Sequence, residues 1–165
     1  MSEMSSPSIP QHLRHWGGLF ERRGNRIVDA PPEDVAVARS YPLFPDKGSI
    51  ISGIRLTLMV RRRQYRIGEE VRVVHVVEMV EPGREVYVMG PKPVYGEYVD
   101  EVLVTPPPPD DVLEPSTYNG LVLPSPAVDY NYDITAYRFA DAGEHRIQWR
   151  LGAVRSNIVR IEVVR

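Results

Sequence analysis

This 165-residue chain predicts an all-β fold, an antiparallel β-sandwich of about seven strands behind an irregular N-terminal arm. Three observations carry the prediction. From Ser49 onward, apolar residues recur with a period of two, the repeat of a strand that buries one face. The periodic stretches are short and are punctuated by Gly or Pro, with turns about every 8–12 residues. β-Branched residues dominate them, above all in Val71 to Val80, VRVVHVVEMV.

The elements follow in order. Residues 1–48 form the arm and residues 49–165 the sandwich. Ser and Pro open the arm, and Gln11 to Arg22 is a short amphipathic stretch whose helical character is broken by Gly17 and Gly18. Pro31 and Pro32 start a second short helical turn through Glu33, Asp34 and Val35, because proline fits the first helical position and acids suit a helix N-terminus. Pro42, Pro45 and the Asp46-Lys47-Gly48 turn lead into the sandwich.

In Ile54 to Val60 the residues Ile54, Leu56, Leu58 and Val60 alternate with Arg55, Thr57 and Met59, which predicts a half-buried strand. Tyr65 to Glu70 reads as a turn, Val71 to Val80 as the second strand, Glu81-Pro82-Gly83 as a turn and Glu85 to Met89 as the third strand. Val94 to Val104 supplies one or two more. Pro106 to Pro109 cannot donate to a sheet ladder and favour an extended polyproline path, and Asp110 to Pro126 is a long connection from one sheet to the other. Asp133 to Phe139, His145 to Leu151 and Ser156 to Val164 complete the set, with Trp149 placed in the core by its alternation with Ile147 and Leu151.

Composition bounds the function. Twenty basic and 22 acidic side chains leave a net charge of −2, without the strong positive field that nonspecific nucleic-acid binding needs. Cysteine is absent, which excludes a disulfide framework, a thiolate nucleophile and cysteine-based metal sites. No stretch approaches the roughly 18 apolar residues of a membrane span. The N-terminus lacks the basic start and apolar region of a secretory signal, so a cytoplasmic location is expected.

Near the penultimate strand, Asp141-Ala142-Gly143-Glu144-His145-Arg146-Ile147 resembles the D-x-G-x-Y-x-C signature of immunoglobulin-like domains, with His145 at the tyrosine position and Ile147 at the cysteine position. Tyr65-Arg66-Ile67-Gly68-Glu69 before a Val-rich strand is similar to the Y-x-x-G-E opening of the second strand in Ig-like domains of bacterial proteins. The resemblance covers about Ser49 to Arg165 and implies an immunoglobulin-like sandwich without its disulfide. It extends to the BsuPI-like intracellular proteinase inhibitors, which implies protease inhibition as an alternative function.

The sequence holds no G-x-S-x-G elbow, Walker-type loop or H-E-x-x-H helix, so an enzyme is not expected, nor is a cofactor or a resident metal. His12 and His15 have metal-ligand spacing without a nearby carboxylate pair. Glu97, Asp100, Glu101, Asp110 and Asp111 could gather around calcium, but a solvated acidic loop is the favoured explanation. His75 lies in a strand whose register leaves its direction open.

Three groups are candidates for binding a protein. Arg61, Arg62, Arg63 and Arg66 form a dense basic run that either protects a sheet edge or docks an acidic partner. Tyr95, Tyr98, Tyr118 and Tyr130, with Tyr132 and Tyr137, concentrate in the middle of the chain, and tyrosine favours interfaces. Trp16 and Phe20, with Leu13 and Leu19, make the arm too apolar for a free tail, so it packs on its own sandwich or on a neighbour. The expected function is therefore a non-enzymatic protein-binding or assembly module whose partner is a protein, another copy of itself included, with nucleic acid disfavoured. The alternatives are a proteinase inhibitor presenting Pro106 to Asp111 or Pro91 to Tyr98, and a carbohydrate- or calcium-dependent binding module.

Overall fold

The computed structural model describes residues 9–113, 118 and 120–165. The Ser-Pro opening and part of the 110–126 connection lie outside these residues. The arm contains a 3-10 turn at Gln11–Leu13, strands β1 (Phe20–Arg23) and β2 (Arg26–Asp29), helix α1 (Pro32–Arg39) and a second 3-10 turn at Tyr41–Leu43. The main body runs β3 (Ile50–Ile51), β4 (Ile54–Val60), β5 (Gln64–Arg66), β6 (Glu70–Met79), β7 (Glu85–Tyr87), β8 (Glu97–Val99) and β9 (Val102–Leu103). It continues with β10 (Val122–Pro124), β11 (Ala127–Asp129), β12 (Thr135–Arg138), β13 (Gly143–Leu151), β14 (Val154–Arg155) and β15 (Val159–Val164).

The fold is all-β. One sheet has the order β11-β6-β4-β3, with β12 also on β6, and the second has the order β5-β15-β13-β8-β9, with β14 on β13. Strands β1 and β2 form a separate hairpin, and β7 pairs with β10. Pairing is antiparallel except between β5 and β15, where Tyr65 lies opposite Val163 in a parallel register. Tyr65 was expected in a turn; a short parallel edge strand carries no alternation long enough to read.

The main core lies between the two large sheets. Leu56, Leu58, Val71, Val73, Val77 and Met79 meet Ile147, Trp149, Leu151, Val159, Ile161 and Val163 there. A second core covers the other face of the first sheet, where Met59, Val74, Val76, Val128 and Tyr130 pack against Leu13, Leu19, Ala30, Ala38 and Tyr41 of the arm. This corrects the half-buried reading of β4: Thr57 and Met59 are as buried as Leu56 and Leu58, because the arm supplies a third layer.

Polar anchors fix that layer. Glu78 of β6 accepts from the Tyr41 hydroxyl at 2.5 Å and lies 2.7 Å from Nε2 of His12. Asp34, fully buried in α1, sits between Arg61 at 2.9 Å and Arg72 at 2.8 Å, while Arg72 reaches Glu21 of β1 at 3.0 Å. The arm thus packs on its own sheet. Gln11 to Arg22 is not a continuous helix; Gly18, with φ of +93°, turns the chain into β1. The free edge of β4 is closed by Asn157, whose side-chain oxygen accepts from Leu58 N–H at 2.8 Å and whose amide donates to Leu58 C=O at 3.0 Å.

Candidate functional site: a tyrosine-lined cleft beside the arm

Residues opposite one another in a hairpin share a face, so the pairs Phe20 with Asp29 and Arg22 with Ile27 place Phe20, Arg22 and Ile27 on one side of β1–β2. Asn131 staples that hairpin to the sandwich. Its oxygen accepts from Phe20 N–H at 3.1 Å, and its amide donates to Gly18 C=O at 3.1 Å and Val88 C=O at 3.0 Å. Arg22 donates to Pro91 C=O at 2.7 Å. The approach is tight at Gly90, where a Cβ would come within 2.2 Å of the Asn131 carbonyl oxygen.

Between hairpin and sandwich lies a cleft in two parts. The inner part, about 260 Å³, is walled by Phe20, Ile27, Val88, Leu123, Val128 and Tyr130. The outer part, about 530 Å³, is lined by Arg22, Pro91, Pro93, Tyr95, Pro109 and Tyr118, and the two share Ile27, Met89 and Gly90. Ile27, Met89 and Leu121 are 56%, 51% and 52% exposed around it, so an apolar patch stays in contact with water.

Beneath the cleft, Lys92 meets Asp129 at 3.0 Å, donates to the Met89 and Asn131 carbonyls and stands 4.9 Å from the centre of the Tyr132 ring. Burial lowers the lysine from its ordinary value and raises the aspartate, and their mutual attraction opposes both shifts. With its amine held by three oxygens, Lys92 fixes the cleft floor. The chemistry on offer is apolar contact with an aromatic rim and the guanidinium of Arg22, which is 57% exposed and lies 3.7 Å from Asp133.

Of the residues singled out in the sequence, Phe20, Tyr95, Tyr118 and Tyr130 converge on this cleft. Trp16 lies behind it, its ring 5.2 Å from that of Tyr130 and covered by Arg39 at 5.1 Å. Tyr98 is elsewhere, on the second sheet under the Arg150 guanidinium at 4.1 Å. The arginine run is also remote. Arg61 binds Asp34 and Glu33 of α1, Arg62 binds Glu69, Arg63 lies 3.9 Å from Asp46, and Arg66 is exposed. Three of these four cations therefore face carboxylates of their own chain.

Ile27, Met89, Leu121 and Asn131 were not foreseen. The only local signal was Gly24-Asn25 between two short β-prone runs, a hairpin turn signature. Nothing in a single sequence tells that Asn131 reaches back more than a hundred residues to the arm.

Among the loop carboxylates, Glu97, Asp100 and Glu101 are engaged in the fold. Glu97 is buried and accepts from His75, Thr135 and Tyr137, and Glu101 meets Arg150 at 2.7 Å. Among the described residues no group of three or more His, Asp or Glu side chains is placed to hold a metal ion. The Pro91 to Tyr98 segment is anchored by buried Val94 and Glu97 and by Lys92, whereas Pro106, Pro107, Pro109 and Asp110 are exposed.

Asp100 ties the β8–β9 turn to β13. Asp100 and Glu101 both have positive φ, 49° and 65°, and Asp100 accepts from Arg146 N–H at 2.9 Å. His145 faces two acceptors, the Asp100 carboxylate at 2.6 Å and the Asp141 carbonyl at 2.8 Å, an arrangement both of whose bonds are made only by the doubly protonated ring. Burial lowers the His145 pKa, but these acceptors prevail and raise it above the ordinary 6.5. The resulting stabilisation is fully present below pH 6.5 and disappears as pH rises through the higher folded value. An NMR titration is expected to show His145 titrating above 6.5, and His145→Ala is expected to remove this alkaline loss of stability.

Comparison of the chain with family models, with curated proteins and with solved structures finds no match. The class defined by fold and site is an all-β protein with a docked N-terminal arm and an apolar, tyrosine-rimmed cleft. Among the described residues no helix is long and apolar enough to cross a membrane.

Proposed function

We propose that this protein is a non-enzymatic protein-binding module of immunoglobulin-like type, and that it takes an apolar side chain of its partner into the cleft between the β1–β2 hairpin and the sandwich. The observation that carries the reading is the coincidence of exposed Ile27, Met89 and Leu121 with Phe20 and Tyr130 around the apolar inner part of the cleft and with Tyr95 and Tyr118 along its more polar outer part. Apolar clefts with a few polar fixtures are where binding energy concentrates, and tyrosine at the rim adds contact area at small entropic cost.

The immunoglobulin-like assignment is supported by connectivity. The order β4-β6-β11/β12 in one sheet and β15-β13-β8-β9 in the other resembles the A-B-E and G-F-C-C′ orders of that fold. Further support comes from His145, which bonds back to the carbonyl of Asp141, the contact that a corner tyrosine makes in those domains.

Selection from a displayed peptide library on the full chain tests the function. Peptides sharing a bulky apolar anchor are expected, and the double variant Ile27→Asp, Met89→Asp is expected to lose them by about tenfold or more in affinity while keeping its melting temperature within a few degrees. A library that yields no consensus, or a consensus that the double variant binds equally well, overturns the reading.

A further inference from the structure

The cleft is bordered by a ridge made of the chain's own prolines. Gly96 N–H donates to Pro106 C=O at 2.9 Å and Val112 N–H donates to Pro109 C=O at 3.2 Å, so both ends of the segment are fixed. Val112 and Leu113 then pack on the main core. Between these anchors Pro107, Pro109 and Asp110 are exposed. Proline pre-orders the segment in an extended form, so little chain entropy is lost when it docks.

Extended proline segments dock into grooves lined with aromatic rings. The outer part of the cleft is such a groove, with Tyr95 and Tyr118 on its walls, and Pro109 stands on its own rim. Arg22 also lines it; its guanidinium donates to Pro91 C=O and lies 3.7 Å from Asp133 of its own chain, yet the side chain stays 57% exposed and so can also meet an incoming carboxylate, as Asp110 would supply. Each molecule therefore carries a ridge and a complementary groove side by side. A two-fold axis next to the ridge would seat each ridge in the groove of the other copy, a closed arrangement.

From this juxtaposition we infer that the occupant of the cleft is the Pro106 to Asp110 ridge of a second copy of this chain, giving a reciprocal two-fold dimer. The inference rests on the cleft being a protein-docking site, and it names the partner.

Sedimentation of the full chain over a range of concentrations tests it, together with Arg22→Glu and Asp110→Arg variants. The wild type is expected to form a dimer that dissociates on dilution. Each variant alone is expected to weaken association by about tenfold or more, since it sets like charges against each other at both contacts. An equimolar mixture of the two is expected to recover wild-type association, because both reciprocal contacts regain opposite charges. A synthetic Thr105 to Asp111 peptide is expected to compete.

A wild type that stays monomeric throughout, a dimer that both variants leave intact, or a mixture without recovery overturns the inference. If the displayed-peptide selection still returns cleft-dependent ligands in that event, the binding function stands and only the identity of the occupant falls. If it returns none, both fall.

Discussion

Glu97→Ala is expected to destabilise the protein by about 3–5 kcal/mol, measured as a shift in the urea unfolding midpoint followed by circular dichroism. The carboxylate lies fully buried between the sheets and accepts from Nε2 of His75 and from the hydroxyls of Thr135 and Tyr137. The His75 ring in turn packs edge-on against Trp149, with centroids 5.0 Å apart. Removing the acceptor leaves three donors without partners in a medium that cannot solvate them. Glu97→Gln keeps one oxygen acceptor and is expected to cost less. Replacing His75 and Glu97 together by leucine is expected to cost less than the sum of the single changes, because the charge and its partner leave together.

The same carboxylate sets a pH dependence. Burial raises its pKa, but the His75 contact and the two hydroxyl bonds outweigh that and hold it below the ordinary 4.5. A depressed carboxylate stabilises the fold above its unfolded value and ceases to do so as pH falls through the folded one. Stability is therefore expected to decline in acid below about pH 4.5, and the part due to Glu97 is expected to be missing in Glu97→Ala.

Deleting residues 1–48 is expected to abolish cooperative unfolding rather than release a free sandwich. The arm covers Met59, Val74, Val76, Val128 and Tyr130, and each such side chain returned to water costs about 1.5–3 kcal/mol. The sum is comparable with the roughly 5–15 kcal/mol that holds a typical domain together. Deletion also strips Glu78 of Tyr41 and His12, and Arg61 and Arg72 of Asp34. The readouts are dye binding by exposed apolar surface and loss of a sharp thermal transition. A shortened chain with a sharp transition within a few degrees of the full chain would show that the arm layer is dispensable.

The arm also marks where local reading stops. Alternation in β4 assigns Leu56 and Leu58 to a core, and they are there. It assigns Thr57 and Met59 to solvent, and they are buried, because burial of the second face depends on a layer contributed by the arm, from Leu13 to Tyr41. The Val-rich β6 carries the same lesson. Its nearly unbroken apolar run is that of a strand covered on both faces, with Val73 and Val77 toward one core and Val74 and Val76 toward the other.

The candidate site was legible in part. Tyrosine enrichment pointed to Tyr95, Tyr118 and Tyr130, and apolar content of the arm pointed to Phe20, because residue type alone carries interface propensity. The arginine run was equally conspicuous in the sequence, yet Arg61, Arg62 and Arg63 find Asp34, Glu69 and Asp46 in the fold. Charge density along a chain does not register carboxylates that arrive from other elements.

Local chemistry determined the main strands, the short helix and the core place of Trp149, though not the short strands β1, β2, β5 and β10. Period-two patterning and Gly/Pro punctuation set the main strands, Pro31-Pro32 with Glu33 and Asp34 set α1, and alternation set Trp149 in the core. Only the tertiary structure decided that the arm docks on its own sheet, that Glu97 closes over His75, and that Asn131 joins three segments into a cleft. Strand patterning is written in the spacing of neighbouring residues. A site built from contacts that span up to about a hundred residues depends instead on sheet order and on the layer above it, which local spacing does not encode.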